Sequence, residues 1–459
     1  MSVTVTQAYR FALDPTPGQE RDLLRHAGAA RAAFNWGLAR VKAVMDQRAA
    51  ERTYGIAEAE LTPAIGWNLP ALRRAWNAAK PEVAPWWAEC SKEAYNTGLD
   101  ALARALGNWS DSRSGKRAGR RVGFPRFRSK RRTTPSVRFT TGTIRVEPDR
   151  HHVTLPRLGT IKLHESTRKL ARRIEAGTAR ILSATVRREA GRWFVAFTCE
   201  VHRADRVPHR PDVVVGVDVG VKHLAVLSTG ELVANPRHLA TASRRLRRLA
   251  RVASRRVGPD RRSGQQPSKR WEAARADLAR AHRRVTDLRR DGLHKLTTRL
   301  ANEYGTVVVE DLNVAGMVRN RRLAKAIADC GFGEIRRQLA YKTTWSGGRL
   351  VVADRWYPSS KTCSGCSAVK AKLPLHARTF TCEDCGMVCD RDVNAAVNLA
   401  QLVVAGSGPE TVNGRGADRK TRPGGLVAVK RQPGTAPADK TGTVPPQGRT
   451  VDHKLTHAY

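Results

Sequence analysis

The first part of the chain shows one strand pattern followed by several helical patterns. Residues 3–13 alternate apolar and polar side chains as a β-strand does, and a Pro-Thr-Pro segment follows them. Apolar residues at helical spacing begin after these prolines over residues 19–48 and return over residues 69–76 and 86–106. These patterns predict a helical domain over residues 16–124.

Short alternating runs replace the helical pattern between residues 136 and 200, with Gly, Pro and Asp between them. This pattern is typical of antiparallel strands. We expect these strands to close with the N-terminal strand into a small β-barrel made of residues 1–15 and 125–210.

Two nearly continuous apolar runs predict a second kind of sheet. VVVGVDVG at residues 213–220 and TVVVEDL at residues 306–312 are rich in β-branched side chains, as are strands buried on both faces of an α/β sheet. Between them, residues 237–300 predict a basic helical hairpin. We therefore expect a multidomain chain of α+β and α/β units, in which residues 211–358 and 390–403 form the α/β domain with a helical insertion.

The last 56 residues, 404–459, differ from the rest of the chain. They contain nine Gly and six Pro, and their one aromatic side chain is the terminal Tyr459. Such a segment buries too little apolar surface to offset the entropy of ordering the chain, so we predict a disordered tail.

The net charge indicates the kind of partner. The 459 residues, enough for about three domains at ~100–200 residues each, include 83 Lys and Arg against 41 Asp and Glu, a net charge of +42. This excess favours nucleic acid as the partner, with an anionic membrane surface as the weaker alternative. Residues 116–132 are strongly basic with Phe124 and Phe127 between the cations, and residues 237–262 are a second basic segment. We expect both to contact backbone phosphates, although a solvated loop has the same composition.

Signals for membranes and secretion are missing from the sequence. It has no run of 18 apolar residues, and the N-terminus lacks the apolar core of a signal peptide. We therefore expect a cytosolic, nucleoid-associated monomer that does not contact a membrane.

Four of the eight cysteines have the spacing of a zinc ribbon. Cys363 and Cys366 are followed, after fifteen residues, by Cys382 and Cys385, and two such C-x₂-C knuckles hold one tetrahedral ion. A four-thiolate site leaves no position open for water, so we expect structural zinc. Two disulfides are the alternative, which a chain without a secretory signal disfavours. Two nearby residues are second-choice ligands: Cys389 and His376.

Three carboxylates stand where a second metal centre can form. Asp218 and Glu310 end the two buried strands, and acids at equivalent ends of neighbouring parallel strands face one crevice. Asp392 follows the cysteines at the start of a predicted helix. If they converge, the three acids can hold two Mg²⁺ ions about 3.5–4 Å apart for phosphodiester chemistry. Each acid alone has another explanation, since Asp218 in a D-x-G segment is also typical of actin-like ATPases and Asp392 can be a helix N-cap.

Six segments of the chain resemble one known family. They read AYRFALDPTP, FPRFRSKRR, GVDVGVKHLAVLS, RADLARAHRRVTDLRRDGLHKLTTRL, VVVEDLNVAGM and SSKTCSGC…FTCEDCG…DRDVNAAVNLA. With them the sequence closely resembles TnpB, the transposon-encoded OrfB proteins ancestral to type V CRISPR effector nucleases, over about residues 5–415. By this resemblance, Asp218, Glu310 and Asp392 are the catalytic acids of an RNase H-like RuvC nuclease, and Asp390 is the neighbour most easily confused with Asp392.

The resemblance also implies an architecture and an activity. The β-barrel is the wedge domain, the N-terminal helices are the recognition domain, and residues 359–389 are a zinc-ribbon insertion that binds the target nucleic acid. The implied protein is an RNA-guided, Mg²⁺-dependent DNA endonuclease, with a guide RNA from the transposon end and a double-stranded DNA target beside a short flanking motif. Two alternatives remain: a transposase that joins DNA strands, and a non-enzymatic DNA-binding regulator.

Overall fold

The computed structural model describes residues 3–260, 262–374 and 376–404, which lie within one compact unit. Its first elements are one long strand and three helices, in the order that the sequence predicts: β1 (Val3–Asp14), α1 (Pro17–Thr53), α2 (Leu69–Val83) and α3 (Lys92–Arg113). A short 3₁₀ helix, Pro85–Glu89, precedes α3. The predicted tail, residues 404–459, lies outside the described residues except for Val404.

Capping side chains set where these helices begin. Thr16 Oγ1 accepts a hydrogen bond from the Gln19 N–H (3.3 Å), and Gln19 Oε1 accepts one from the Thr16 N–H (3.1 Å), a capping box before α1. Ser91 Oγ accepts a bond from the Glu93 N–H at the start of α3. The apolar run over residues 86–106 is therefore not one helix, because Ser91 begins a new one.

Seven antiparallel strands form the first sheet, in the order β2-β6-β7-β1-β5-β4-β3. As predicted, β1 joins this sheet, pairing with β7 from Val3 opposite Arg203 to Leu13 opposite Trp193. The predicted closed barrel is wrong, since the edge strands β2 and β3 do not pair with each other. The elements of this region are β2 (Ser136–Phe139), β3 (Arg145–Val146), β4 (His152–Leu155), β5 (Gly159–Leu163), α4 (Arg168–Glu175), β6 (Ala179–Glu189) and β7 (Arg192–Arg203).

Helices cover the apolar face that a barrel would have enclosed. Val137 and Phe139 of β2 are fully buried in one core with Phe34 of α1 and with Leu99 and Leu102 of α3. Because these helices bury the face, the sheet gains nothing by curling onto itself. In addition, β3 has two residues and is too short to extend the ladder toward the other edge.

The second sheet has five strands, in the order β10-β9-β8-β11-β12. The three strands β8, β11 and β12 are parallel, whereas β9 pairs antiparallel with β8 and β10 pairs antiparallel with β9. Both predicted apolar runs belong to this sheet, and β11 is buried on both faces, with Val307 and Val309 in one core and Val308 in another. The strands are β8 (Arg210–Asp218), β9 (His223–Leu227), β10 (Leu232–Ala234), β11 (Tyr304–Glu310) and β12 (Arg349–Ala353).

The predicted helical hairpin lies between β10 and β11 in the chain. Its two helices, α5 (His238–Ser254) and α6 (Lys269–Glu303), share a small core of Leu246, Leu278 and Val285. Later elements are α7 (Val314–Met317), α8 (Ala324–Cys330), α9 (Phe332–Trp345), β13 (Thr379–Thr381), β14 (Val388–Asp390) and α10 (Arg391–Val404). In the part of the chain that the structure describes, no helix has both the length and the apolarity needed to cross a membrane.

Candidate functional site

Asp218 and Glu310 lie next to each other at one edge of the second sheet. β8 ends at Asp218 and β11 ends at Glu310, and the two parallel strands are in register with Val217 opposite Val309. The prediction that these acids end neighbouring parallel strands is therefore confirmed. Carboxyl ends of parallel strands are where α/β sheets place their ligand sites.

The third acid reaches this edge on a helix. Asp392 lies in the first turn of α10, which packs against β8. Gly216 of β8 permits the contact, because a Cβ at this position would lie 1.9 Å from the carbonyl oxygen of Ala396. Any larger residue at Gly216 would push α10, and with it Asp392, away from the strand that carries Asp218.

The structure distinguishes Asp392 from its neighbour Asp390. Asp390 ends β14, and its Oδ1 accepts the backbone N–H groups of Asp392 (2.8 Å) and Val393 (3.3 Å). These are the bonds that a helix N-cap makes. Asp390 therefore caps α10, whereas the Asp392 carboxylate lies 4.0 Å from the nearest guanidinium nitrogen of the half-exposed Arg378.

Burial and like charge act together on Asp218. Desolvation, followed by the carboxylates of Glu310 and Asp392, raises the pKa of Asp218 to about 7, and Arg391 opposes this shift. Carboxylates in such an arrangement repel one another, and a bound cation reverses that repulsion. A cluster of carboxylate oxygens is also the donor set that Mg²⁺ prefers, so these residues fit a hard divalent cation.

A serine that the sequence analysis did not single out fixes the orientation of Glu310. The hydroxyl of Ser359, a buried residue, donates a hydrogen bond to Glu310 Oε1. The contact joins residues 49 positions apart in the chain. It leaves the second carboxylate oxygen of Glu310 available to another partner.

Two buried asparagines tie α10 to the loop that contains Ser359. Asn398 Nδ2 donates to the carbonyl oxygens of Ser359 (2.7 Å) and Thr362 (2.6 Å). Asn394 Nδ2 also donates to Thr362 O (2.6 Å), and its Oδ1 accepts the Ser364 N–H (2.9 Å). Each asparagine is 1% exposed, so these bonds are shielded from water. The signal in the sequence was a pair of amides four positions apart among the apolar residues of α10, where they require buried partners.

The four cysteines of the predicted ribbon come together. The Sγ atoms of Cys363 and Cys385 are 3.6 Å apart, as are those of Cys366 and Cys382. These distances exclude disulfides, whose sulfurs lie about 2.0 Å apart. They match the ~3.8 Å separation of thiolates around a tetrahedral zinc with Zn–S bonds of about 2.3 Å. The donor set therefore fits zinc.

Within the described residues, these cysteines are the one group of three or more His, Cys, Asp or Glu residues whose ligand atoms all lie within 4.8 Å of one another. Neither second-choice ligand, Cys389 or His376, belongs to it. The carboxylate oxygens of Asp218, Glu310 and Asp392 do not all lie within 4.8 Å of one another.

The first basic segment is held to the helical core at one end. The Arg128 guanidinium lies 3.7 Å from the centre of the Phe34 ring, and its backbone exchanges two hydrogen bonds with the Asn35 side chain. Phe124 packs edge-on against Trp109, with ring centroids 5.1 Å apart, whereas Phe127 is 57% exposed. Of the two phenylalanines, Phe127 is therefore the one positioned to meet a partner.

Comparison with known proteins identifies the family. Residues 196–321 match the OrfB_IS605 family, described as "Probable transposase", and residues 332–399 match the "Cas12f1-like, TNB domain". A Mycobacterium tuberculosis protein named "Putative RNA-guided DNA endonuclease" is 43% identical over 444 residues, which cover 91% of this chain and 92% of that protein. The chain belongs to the TnpB (OrfB) family. The resemblance found in the sequence motifs is thus confirmed.

Other proteins related to this TnpB chain span nearly its whole length. A "Putative RNA-guided DNA endonuclease" of Streptomyces pristinaespiralis is 34% identical, covering 95% of this chain and 99% of that one. Among solved structures, a Cas12f1–sgRNA–target DNA complex aligns with 86% of this chain and 99% of the Cas12f1 chain, at 14% identity and a TM-score of 0.46.

One family match differs from what the structure shows. Residues 1–49 match a family described as a "Helix-turn-helix domain". In the part of this segment that the structure describes, β1 is followed by a single uninterrupted helix, α1.

Proposed function

We propose that this TnpB protein is an RNA-guided, metal-dependent DNA endonuclease. The proposal rests on Asp218 and Glu310 at the ends of two neighbouring parallel strands, and on an Asp392 carboxylate near enough to help raise the pKa of Asp218, in a chain whose relatives are named RNA-guided DNA endonucleases. A parallel β8–β11–β12 core with antiparallel β9 and β10 on one side supports the assignment of this sheet as RNase H-like.

The three acids would act as metal ligands. The pKa of Asp218 is raised by burial and by the neighbouring carboxylates, which favours an ion that neutralises the cluster. Ser359 orients Glu310 by its hydrogen bond, and Asp390 holds the first turn of α10 so that Asp392 faces the same crevice. Two Mg²⁺ ions, once bound, would supply the water activation and charge neutralisation that phosphodiester hydrolysis needs.

The cysteine cluster would have a separate, structural role. Four thiolates fill the tetrahedral coordination of zinc, so this ion has no open position for catalysis. The ribbon instead gives rigidity to the segment at residues 359–389. We propose that this segment contacts the target nucleic acid, as its match to a TNB domain suggests.

RNA guidance also assigns a role to each of the remaining domains of the chain. A net charge of +42 suits a protein that holds the phosphates of a guide RNA and of two DNA strands, while base pairing reads the sequence. We assign residues 1–15 and 125–210 as a wedge domain, residues 16–124 as a recognition domain, and residues 211–358 and 390–403 as the nuclease domain. The guide would derive from the transposon end, and the target would lie beside a short flanking motif.

A strand-joining transposase is the second candidate, because the family that matches residues 196–321 is described as "Probable transposase". The products of the reaction separate the two. Protein purified with its RNA is incubated with Mg²⁺, a plasmid that carries a matched target, and labelled transposon-end DNA. We expect linear plasmid with free ends. Label joined covalently to the plasmid would support the transposase, and binding without any strand break would support the regulator.

The salt dependence of binding tests the basic segments. Replacing Arg120, Arg121, Arg126 and Lys130 by glutamine should reduce the slope of log K against log[salt] by about three to four units if all four contact phosphates. The matched control replaces four cations that already pair with carboxylates: Arg104, Lys295, Arg299 and Arg337. If the slope changes equally in both variants, or does not change in the variant of residues 116–132, this basic segment is only solvated.

A further inference from the structure

Trp356 is an exposed tryptophan beside the proposed nuclease centre. Its side chain is 84% exposed, and among the described large hydrophobic residues only Tyr54, at 85%, exceeds it. Single exposed apolar side chains are common on proteins and by themselves indicate nothing. The position and rigidity of the loop that carries Trp356 make it different.

Both ends of this loop contact Glu310. Ala353, the last residue of β12, pairs with Glu310 in the sheet. Ser359 donates its hydroxyl hydrogen bond to the same glutamate. Trp356 lies three residues from each of these anchors, so its Cα is within ~11 Å of both. That length corresponds to about three nucleotides at the 3.4 Å rise of a DNA strand.

The loop between these anchors is held by its own hydrogen bonds. Asp354 Oδ1 accepts the Trp356 N–H (2.8 Å), and Asp354 O accepts the Tyr357 N–H (3.1 Å). Next to the tryptophan, Arg355 bonds to the backbone oxygen of Asp311 (3.2 Å) and to its carboxylate. The indole is therefore presented to solvent from a backbone that is already ordered, which lowers the entropy lost when a ligand binds it.

The surroundings favour a nucleobase over an apolar protein partner. A cleft of about 350 Å³ opens at Glu310 and is bordered by two guanidinium groups, those of Arg336 and Arg355. Both cations pair with the single carboxylate of Asp311, so two guanidinium groups share one ion-pair partner, and Glu310 is the other acid in the lining. An aromatic ring beside cations is the combination that single-stranded nucleic acids use, with the base on the ring and the phosphates on the cations.

We propose that Trp356 is a stacking platform for a base of the DNA strand that is cut, within a few nucleotides of the scissile phosphate. This proposal rests on the proposed function, since it requires a single DNA strand at the three acids. Stacking is tolerant of sequence because every base has a π-face. Trp356 therefore positions the strand along the crevice and does not select its sequence.

The test compares Trp356→Ala, Trp356→Phe and the matched control Tyr54→Ala, which removes an equally exposed aromatic at the end of α1. Full-length protein with its RNA is mixed with matched duplexes that carry 2-aminopurine at successive positions of the cut strand. In the wild type we expect the fluorescence of 2-aminopurine to be quenched at one or two adjacent positions of the cut strand. Quenching should be lost in Trp356→Ala and retained in Trp356→Phe and Tyr54→Ala.

Single-turnover cleavage at saturating target gives the second readout. We expect Trp356→Ala to cut about 5-fold to 100-fold more slowly, with rescue in Trp356→Phe and no change in Tyr54→Ala. Unchanged quenching and rate in Trp356→Ala would overturn the stacking role while the wild type still cuts. A wild type that binds the duplex but never cuts would instead overturn the proposed function, and the fluorescence would still report on stacking.

Discussion

Asp218→Asn, Glu310→Gln and Asp392→Asn should each reduce DNA cleavage to the background rate, a loss of at least ~1000-fold. Each change keeps the size of the side chain but removes a negative charge from the group that would hold the divalent ions. The expected loss exceeds the ~10–100-fold that follows when an outer hydrogen-bond partner of a metal ligand is removed. Target binding should persist, because removing a carboxylate also removes repulsion toward phosphate. Single-turnover cleavage and filter binding of the same protein preparations measure both.

Two further variants act as controls for these acids. Asp390→Asn should cut nearly as well as the wild type, since asparagine caps a helix as well as aspartate does. Ser359→Ala should cut about 10–100-fold more slowly than the wild type, which is slower than Asp390→Asn but faster than the three acid variants. The change frees Glu310 to rotate without removing its carboxylate. Full activity in Asp392→Asn together with inactivity in Asp390→Asn would show that the wrong aspartate has been assigned.

The second large effect concerns the cysteine cluster. Cys382→Ser should lower bound zinc from one ion per chain to near zero and should also abolish cleavage. Zinc binding supplies folding free energy to a ribbon whose described core contains little besides Cys363, Phe380 and Cys382. Unfolding of the ribbon would disturb the proposed nuclease centre through Asn394 and Asn398, which hold the loop of Ser359 against α10.

Cys389→Ser is the matched control for the zinc site. Cys389 packs against the ribbon core but is not one of the four converging thiols. We expect this variant to keep one zinc and to keep cleavage, as measured by metal analysis of reduced protein and by the plasmid assay. Zinc loss in Cys389→Ser with zinc retained in Cys382→Ser would require a different ligand set.

The sequence was most informative for strands that are buried on both faces. A strand such as VVVGVD or TVVVE has apolar side chains on both faces, so its place in a parallel sheet and the acid at its end follow from the same few residues. The cysteine pairs were equally direct, because knuckle spacing alone determines which sulfurs can meet.

The closed barrel failed for a physical reason. Alternation shows that a strand has one apolar face, but it does not show what covers that face. Here α1 and α3 cover it, and their contacts with β2 join residues far apart in the chain. The helix α4 was missed because RKLARRIE has only eight residues, and three apolar side chains at helical spacing are too few to stand out among the alternating runs around them.

Several details of the site could not be found from local patterns. Ser359 is one of many serines, and its role depends on a contact with Glu310 across 49 positions. Asp390 and Asp392 have the same chemistry, and the start of α10 decides which of them caps the helix. Phe124 and Phe127 also look alike in sequence, yet only one of them is exposed.

RNA guidance is the central claim, and exchange of the guide tests it most directly. Protein stripped of RNA is reconstituted with its own RNA or with one whose target-matching segment has been replaced. Each complex is incubated with Mg²⁺ and two plasmids, one matched to each segment and both with a randomised flank. We predict no cutting without RNA, and with RNA the cutting of only the matched plasmid, confined to a few flanks. Cutting without RNA, or cutting that stays on the original plasmid after the exchange, would contradict the account.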